Sequence, residues 1–560
     1  MNDDLFINSA RVLGQNWKLI LALLACVTWG TLLVFAILKK TTEQQFADIE
    51  LTALALGGWP LPALLISLLI LLLRAFIPDG FIFIIALTII ATSAGFAVRS
   101  VWGKVSLSFV LPILIFLLLV FVRLGFVANV ILPLYFDSAE HYRIIQVLLS
   151  MGEGTKFAWP STAYYHLGYH VIAAAITWIT YANISQVMLL FGQIILAAIP
   201  LPMYFFVHRI TGSKMAALFS VTLAAFGWFM PAHAVNWGKY PALLSLLLIQ
   251  FTLGAAIIKN RWLFVLAAIA SVLIHTRAII LIAIFGMAWI LSALWMDQPR
   301  NRRILLFALT VTMLGMAILL IERNQILGPI LEPYRIWVTL LVGLLSATVF
   351  RSFSRLTVFF LLAILLMLAG IFIPITSTLT LLDRPLVEMT LFLPLAFLGG
   401  LGVVRLPKFA VTVLTAFIII HAWGTYNFSP SDCCQLVNRD DAVALDWMDK
   451  HLPADARIAI ASTNLNLNAF GSLMQGAGTD AGIWVAPLTQ RTILTMPYST
   501  DFIMQSTRDN LCRQHVTHVY VGAKPQSFEI DFAEARPAWY ETIFSLPNTR
   551  IVQVINCEDG

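Results

Sequence analysis

The stretch YFDSAEHYR, Tyr135 to Arg143, decides how this chain must be read. It follows a long apolar run at 107–127 and gathers Asp137, Glu140, His141 and Arg143 where that run ends. A charged group at the centre of a bilayer costs about 2.5–3.5 kcal/mol on insertion scales, so this cluster belongs just outside the hydrocarbon. On a helix, Asp137, Glu140 and His141 fall at i, i+3 and i+4 and share one face. Two carboxylates beside an imidazole can accept a proton, hold a cation or grip a polar ligand. The plainer reading is a solvated loop with Asp137 or Ser138 as the N-cap of a short helix. The functional reading is preferred, because ionisable clusters at a membrane edge are functional by default.

Working outward, the composition sets the frame. The chain has 560 residues, 60% hydrophobic and only 11% charged, with a mean hydropathy of +0.87. That describes an integral membrane protein with many spans. The net charge of +6 resides mostly in short loops, so it reports topology and not nucleic-acid binding. Residues 1–18 carry Asp3, Asp4, Arg11 and Lys18, with no small-residue cleavage site after them, so an uncleaved first span is expected. Runs able to cross, or nearly so, are 19–38, 51–73, 81–98, 107–127, 185–207, 213–230, 240–258, 262–275, 278–296, 303–321, 334–350, 356–373, 386–403 and 409–427. About 13–14 transmembrane helices are therefore expected, each needing ~20 apolar residues. The short run 262–275, ended by His275 and Arg277, reads as a broken helix or tight re-entry.

Lys and Arg in short loops set the orientation. Lys39 with Lys40, Arg99 with Lys104, Arg209 with Lys214, Lys259 with Arg261, Arg300 with Arg302 and Arg303, Arg351 with Arg355, and Arg405 with Lys408 mark the cytoplasmic side. The loops 135–162, 231–239, 275–277, 322–333 and 376–385, the tail from 428 and the N-terminus then face outward. Residues 163–181 (AYYHLGYHVIAAAITWITY) could span, but a crossing there would invert every later loop. They are expected to lie along, or dip into, the outer surface, with Tyr164, Tyr165, Trp178 and Tyr181 at the interface.

From about 430 the composition turns polar. DAVALDWMDKHLP (440–453) reads as an amphipathic helix, and RIAIAS (457–462), THVYVG (517–522) and RIVQVIN (550–556) as strands. The expected architecture is a transmembrane domain over 1–427, with a catalytic external loop at 134–184, and a soluble extracytoplasmic α/β domain over 428–560. Cys433, Cys434, Cys512 and Cys557 all follow the last span and permit two disulfides in an oxidising compartment. Adjacent Cys433 and Cys434 are poorly placed to bond each other, so each is expected to reach Cys512 or Cys557.

Several polar clusters share the side of Asp137. His166 and His170 are four apart and could hold a metal. Two interfacial histidines with satisfied hydrogen bonds are the preferred reading, because HxxxH lacks the glutamate of HExxH. Asn236, Lys239 and Tyr240 sit at the end of two spans, beside Gly238, which lets a ligand approach the backbone. A belt with a snorkelling lysine explains them equally well. His275 and Arg277 interrupt an apolar stretch, where a guanidinium needs an anionic partner. Arg384 follows Asp383, with Glu388 one turn on, either binding substrate or forming an i,i+4 pair. Carboxylates and cations gathered at head-group level suit a lipid-phosphate substrate whose head group passes to a nucleophile. Walker A, GxGxxG and GxSxG patterns are lacking, so ATP use, dinucleotide binding and serine-hydrolase chemistry have no support.

This pattern resembles the GT-C superfamily of polytopic glycosyltransferases, in particular bacterial members with a soluble C-terminal domain. The similarity extends over most of 107–560. Asp137, with Glu140 as second acid, matches the acidic motif of an external loop. Tyr165–His170 resembles the segment that follows it, and HRITGSKMAAL (208–218) a cytoplasmic turn. NWGKY (236–240), His275–Arg277 and TDAGIWVAPLTQR (479–491) resemble further segments of the group. The acidic motif here follows four apparent spans and reads Asp-Ser-Ala-Glu, a departure from the usual Asp-X-Asp or adjacent acidic pair. The resemblance implies an inverting transferase of the bacterial cytoplasmic (inner) membrane, using a polyprenyl-phosphate sugar donor and a glycan, lipid or protein acceptor. Asp137 would be the base, and Arg277, Arg384 and Lys239 would hold the donor phosphate. Glu140, His141 and His170 would position the sugar or the base, with Mg²⁺ or Mn²⁺ at Asp137/Glu140 as an option. A lipid-linked glycan transporter, or a non-catalytic scaffold of the same fold, is the competing reading; inverted repeats and midplane charges would favour a transporter.

Overall fold

The computed structural model describes residues 4–42, 46–101, 105–150, 166–296, 328, 332–350, 352–375, 380–425, 428–467 and 475–557. The expected span 303–321 lies outside the described residues, as do Tyr164 and Tyr165. The chain is a helical polytopic membrane protein with a small C-terminal α/β domain. Among the described residues, eight helical runs are long and apolar enough to cross a membrane, and shorter apolar helices pack among them.

The helices alternate between two ends of the bundle. At one end α1 (Leu5–Thr41) hands over to α2 (Asp48–Gly58) and α3 (Pro60–Leu73). There Lys39 pairs with Asp48, whose other oxygen accepts from Ser106 N at 2.7 Å ahead of α5 (Val110–Leu124). Glu50 holds His208 at 2.7 Å, close to the end of α9 (Pro202–Thr211). Asp48 and Glu50 at the start of α2 thus each hold a cation or polar group from another element. At the other end α3 meets α4 (Asp79–Val101) through Arg74 and Asp79, 3.2 Å apart.

Helix starts carry side-chain caps. Asn183 caps α8 (Ile184–Ala198), Ser213 caps α10 (Lys214–Thr222) and Asn260 caps α12 (Arg261–Ile274). A capping oxygen satisfies one of the orphan N–H groups that no lipid can serve. The long α11 (Tyr240–Ile257) packs against α12, and α13 (Ala278–Met296) follows after the turn at 275–277. That turn breaks the apolar run as expected: His275 is extended at φ −154° and ψ 114°. Five more helices follow among the described residues: α14 (Ile336–Val349), α15 (Ser354–Gly370), α16 and α17 (Arg384–Thr390, Phe392–Gly402) and α18 (Lys408–Thr425).

Two helices share one end of the bundle. α6 (Tyr135–Ser150) and α7 (Gly168–Thr180) start together, with His141 against His170. They also finish together at the α3–α4 turn: Arg74 donates to Leu149 O at 3.2 Å, and Trp178 Nε1 to Asp79 at 3.1 Å. Both therefore run along one end of the bundle. The expectation of an interfacial α7 needs correction, since Gly168 through Trp178 are buried among α3, α6 and α8. Its aromatic and histidine residues face protein and not head groups; only Tyr181, just past its end, is fully open.

The tail carries a six-stranded mixed sheet. β1 (Arg457–Leu467) runs parallel to β3 (Thr492–Pro497) and β4 (His518–Val521) and antiparallel to β2 (Gln475–Gly478); β6 (Thr549–Val554) is antiparallel to β4 and β5 (Tyr540–Leu546). The order is β2-β1-β4-β6-β5, with β3 also on β1. The expected helix and three strands are present as α19 (Arg439–His451), β1, β4 and β6. Buried Asp441 ties α19 to the sheet, accepting from Tyr520 Oη at 2.7 Å, Thr549 Oγ1 at 2.9 Å and Ala523 N at 3.2 Å. Asp480 is also buried, which pushes its carboxyl up to about 7, while Ser527 and the Gly482 amide hydrogen-bond it.

The expected cysteine pairing is overturned. Cys512, at the end of α20 (Gln505–Arg513), bonds Cys557, just past β6, with Cα atoms 5.5 Å apart. Cys512 and Cys557 are thus taken by each other, and Cys433 and Cys434 sit elsewhere, at the entry to α6, where Tyr135 N binds the Cys434 carbonyl.

The alternation makes a direct prediction. Accessibility reporters at 210 and 406 should label from one side of the membrane, and those at 184 and 480 from the other. Reporters at 184 and 210 on the same side would contradict the path described for α8 and α9 (α8–α9 is 28 residues, Ile184–Thr211).

Candidate functional site

Three turns at the end of the bundle that carries α6 and α7 build one cavity. The first turn is the entry to α6. Tyr135 adopts a left-handed φ of 66°, and Asp137 lies in the first helical turn, where exposed N–H groups favour a carboxylate. The second is the 3₁₀ turn Ala232–Trp237 with Gly238 and Lys239. Gly238 has φ +65°, and a Cβ there would stand 2.5 Å from Ser138 Oγ and 3.1 Å from Ser138 N. Only glycine lets these two turns close on each other, and the result is an ion pair between Lys239 and Asp137. The third is the 275–277 turn, whose Arg277 pairs with Asp383. Asp383 is also the N-cap of α16, accepting from Leu386 N at 3.2 Å.

The cavity has a volume of about 280 Å³ and is lined by Asp137, His141, His166, Lys239, His275 and Arg277, with Thr276, Asp383 and apolar residues of α11 and α16. Its electrostatics follow from those neighbours. Burial alone would lower the Lys239 ammonium, but Asp137 and then Asp383 outweigh it and hold its pKa above the ordinary lysine value. Burial pushes the His141 imidazole down to about 4, against the pull of Asp137. Burial, then the charges of Arg277 and Lys239, push His275 down to about 3. His166 is lowered as well, again chiefly by burial. At neutral pH the three imidazoles are uncharged, and two cations face two carboxylates.

The structure divides the sequence-derived residues into those at the cavity and those behind it. Asp137, His141, His166, Lys239, His275 and Arg277 line it. His170 stands behind His141, Nε2 to Nδ1 at 2.9 Å. Tyr240 is buried and stacks on Tyr169, ring centroids 5.8 Å apart. Asn236 holds the tail instead of a ligand, accepting from Ser431 N at 2.9 Å. Arg384 and Glu388 face away: Arg384 Nε meets Glu388 Oε1 at 2.5 Å, and the Glu388 carbonyl accepts from Tyr334. They form the i,i+4 pair and do not line the cavity.

The metal readings fare poorly. His166 precedes α7 and packs on His275 with ring centroids 4.5 Å apart, so it shares no helix face with His170. Glu140 turns to Arg143, 3.0 Å away, while Asp137 turns to Lys239, so the two carboxylates do not converge on a divalent ion. Among the described residues, no group of three or more His, Cys, Asp or Glu is placed to hold a metal.

Asp383 and Thr276 are the cavity polar residues that sequence reasoning missed. The need of Arg277 for an anionic partner was the available signal, and Asp383, an N-cap two residues before Pro385, was a candidate. Behind α6 the tail supports the site: Trp484 packs edge-on against Tyr142, centroids 5.6 Å apart. Compared with models of known protein families and with curated proteins, the chain matches none.

The approach of the two turns can be tested by comparing glycines. Gly212 has φ +67° with open space around it, whereas Gly238 has both a positive φ and Ser138 against it. Gly212→Ala should cost about 1 kcal/mol, the backbone term alone, and Gly238→Ala clearly more. Thermal unfolding in detergent measures both, and equal losses would contradict the close approach.

Proposed function

We propose that the chain is a membrane glycosyltransferase of GT-C type. It takes a sugar from a polyprenyl-phosphate donor and passes it, with inversion, to a hydroxyl of a glycan, lipid or protein acceptor on the outer face of the bacterial cytoplasmic membrane. The observation that carries this reading is the cavity itself, where a carboxylate and two cations from three separate turns meet at the end of an apolar bundle. The order and sidedness of the sequence segments that resemble GT-C enzymes support it further.

The chemistry follows from the ion pairs. A lipid phosphate entering the cavity offers Lys239 and Arg277 a partner in place of Asp137 and Asp383. Asp137, released, accepts the proton of the acceptor hydroxyl. The hydroxyl oxygen then forms its bond to the anomeric carbon as the bond from that carbon to the phosphate oxygen breaks. The electron pair leaves with the phosphate, whose added charge Lys239 and Arg277 stabilise more in the transition state than in the ground state. A positioned base typically contributes 10²–10⁴-fold. Neutral His141, backed by His170, can orient a sugar hydroxyl without competing for the phosphate.

Asp137→Asn keeps the shape of the side chain but cannot accept the proton. Transfer from a polyprenyl-phosphate sugar should fall at least ~10²-fold, while donor binding should hold or tighten because Lys239 loses its competing carboxylate. Arg277→Lys keeps the charge and loses the planar fork, so donor affinity and turnover should both drop. Full transfer by Asp137→Asn would reject it as the base. Loss of transfer on chelation, restored by Mn²⁺ or Mg²⁺, would assign a metal to the reaction, as oxygen ligands suit those ions.

A further inference from the structure

The segment Ser431–Gln435 lies where the transmembrane body, α6 and the tail meet. Ser431 N donates to Asn236, beside the Lys239 turn, and Gln435 Nε2 donates to Asn129 O at 3.1 Å. Tyr135 N donates to Cys434 O at 2.9 Å, two residues before Asp137. Lys524 of the tail donates to Asp432 O at 3.0 Å. In the middle of this junction the Cys433 and Cys434 sulfurs are 2.8 Å apart. That is inside the roughly 3.5–4.0 Å at which carbon atoms pack, so the turn brings together two sulfurs that adjacency alone was expected to keep from bonding.

The other cysteines leave this pair to itself. The chain has five, of which Cys512 and Cys557 are bonded to each other and Cys26 sits in α1. Cys433 is exposed and Cys434 buried, so one sulfur can be reached from solvent while the other waits behind it.

We propose that Cys433 and Cys434 form a reducible disulfide between adjacent residues, a clasp on the turn that anchors the start of α6. This inference is independent of the sugar-transfer reading. The bond forms by exchange with a disulfide of the surrounding compartment. The Cys433 thiolate attacks that disulfide and releases one thiol, giving a mixed disulfide on Cys433. The Cys434 sulfur then attacks the Cys433 sulfur and releases the second thiol. The chain loses two protons and two electrons, and the exchanging disulfide gains them. The closed ring fixes the turn that presents the Cys434 carbonyl to Tyr135 N. The open dithiol leaves that turn freer, and with it the first turn of α6.

The test uses the full chain in detergent, equilibrated with oxidised glutathione and alkylated before and after reduction. The peptide bearing Cys433 and Cys434 should take no label before reduction and two after it. Free thiols there, or a glutathione adduct, would overturn the proposal. Hydrogen exchange of the peptide containing Tyr135 should then rise at least about tenfold on reduction, the signature of a local opening. In Cys433→Ser, which still carries Cys512–Cys557, reduction should leave that exchange unchanged. An equal rise in Cys433→Ser would trace the effect to the other disulfide and overturn the clasp.

Discussion

A charge at the edge of a membrane must find a partner, and the two ion pairs Lys239–Asp137 and Arg277–Asp383 meet that demand for the whole site. They draw together three turns that are far apart in the chain: the entry to α6, the Gly238 turn and the α12–α13 turn with the cap of α16. The same pairs leave the cavity without net formal charge among its four charged side chains. An anionic ligand therefore enters by exchange, taking the cations from carboxylates already present. In the proposed reaction that exchange is also what frees the base.

Everything around the cavity keeps those turns in register. α6 and α7 lie side by side along one end of the bundle, linked by His141 and His170. The tail domain presses on the outside of α6 through Trp484, and the Ser431–Gln435 junction holds its first residue. The soluble domain is thus part of how Asp137 is positioned.

Much of this was legible in the sequence. Long apolar runs separated by Lys and Arg loops gave the helices and their alternation, because a span is set by length and hydropathy alone. The burial of Gly168–Trp178 was not visible, since apolar residues at a lipid interface and in a protein interior look alike. In the tail, β1, β4 and β6 are β-branched runs. The strand β2, QGAG, has no such residue and forms only because β1 is there to pair with it. At the site, Asp137, Lys239 and Arg277 stood out as charges among apolar neighbours. Arg384 and Glu388 stood out for the same reason and belong elsewhere, because sequence shows that a charge needs a partner but not which face of a helix it occupies. The cysteines failed likewise: counting them permits pairings, and only the fold brings Cys512 to Cys557.

The exchange of internal carboxylates for a lipid phosphate is open to one direct measurement. Asp383→Asn retains the oxygen that caps α16 but removes the charge competing for Arg277. Binding of a polyprenyl phosphate to the purified protein, measured in detergent against the uncharged polyprenol, should be several-fold tighter in Asp383→Asn than in the wild type. Phosphate-dependent binding that is unchanged or weaker in the variant, or no preference for the phosphate over the polyprenol, would contradict the account.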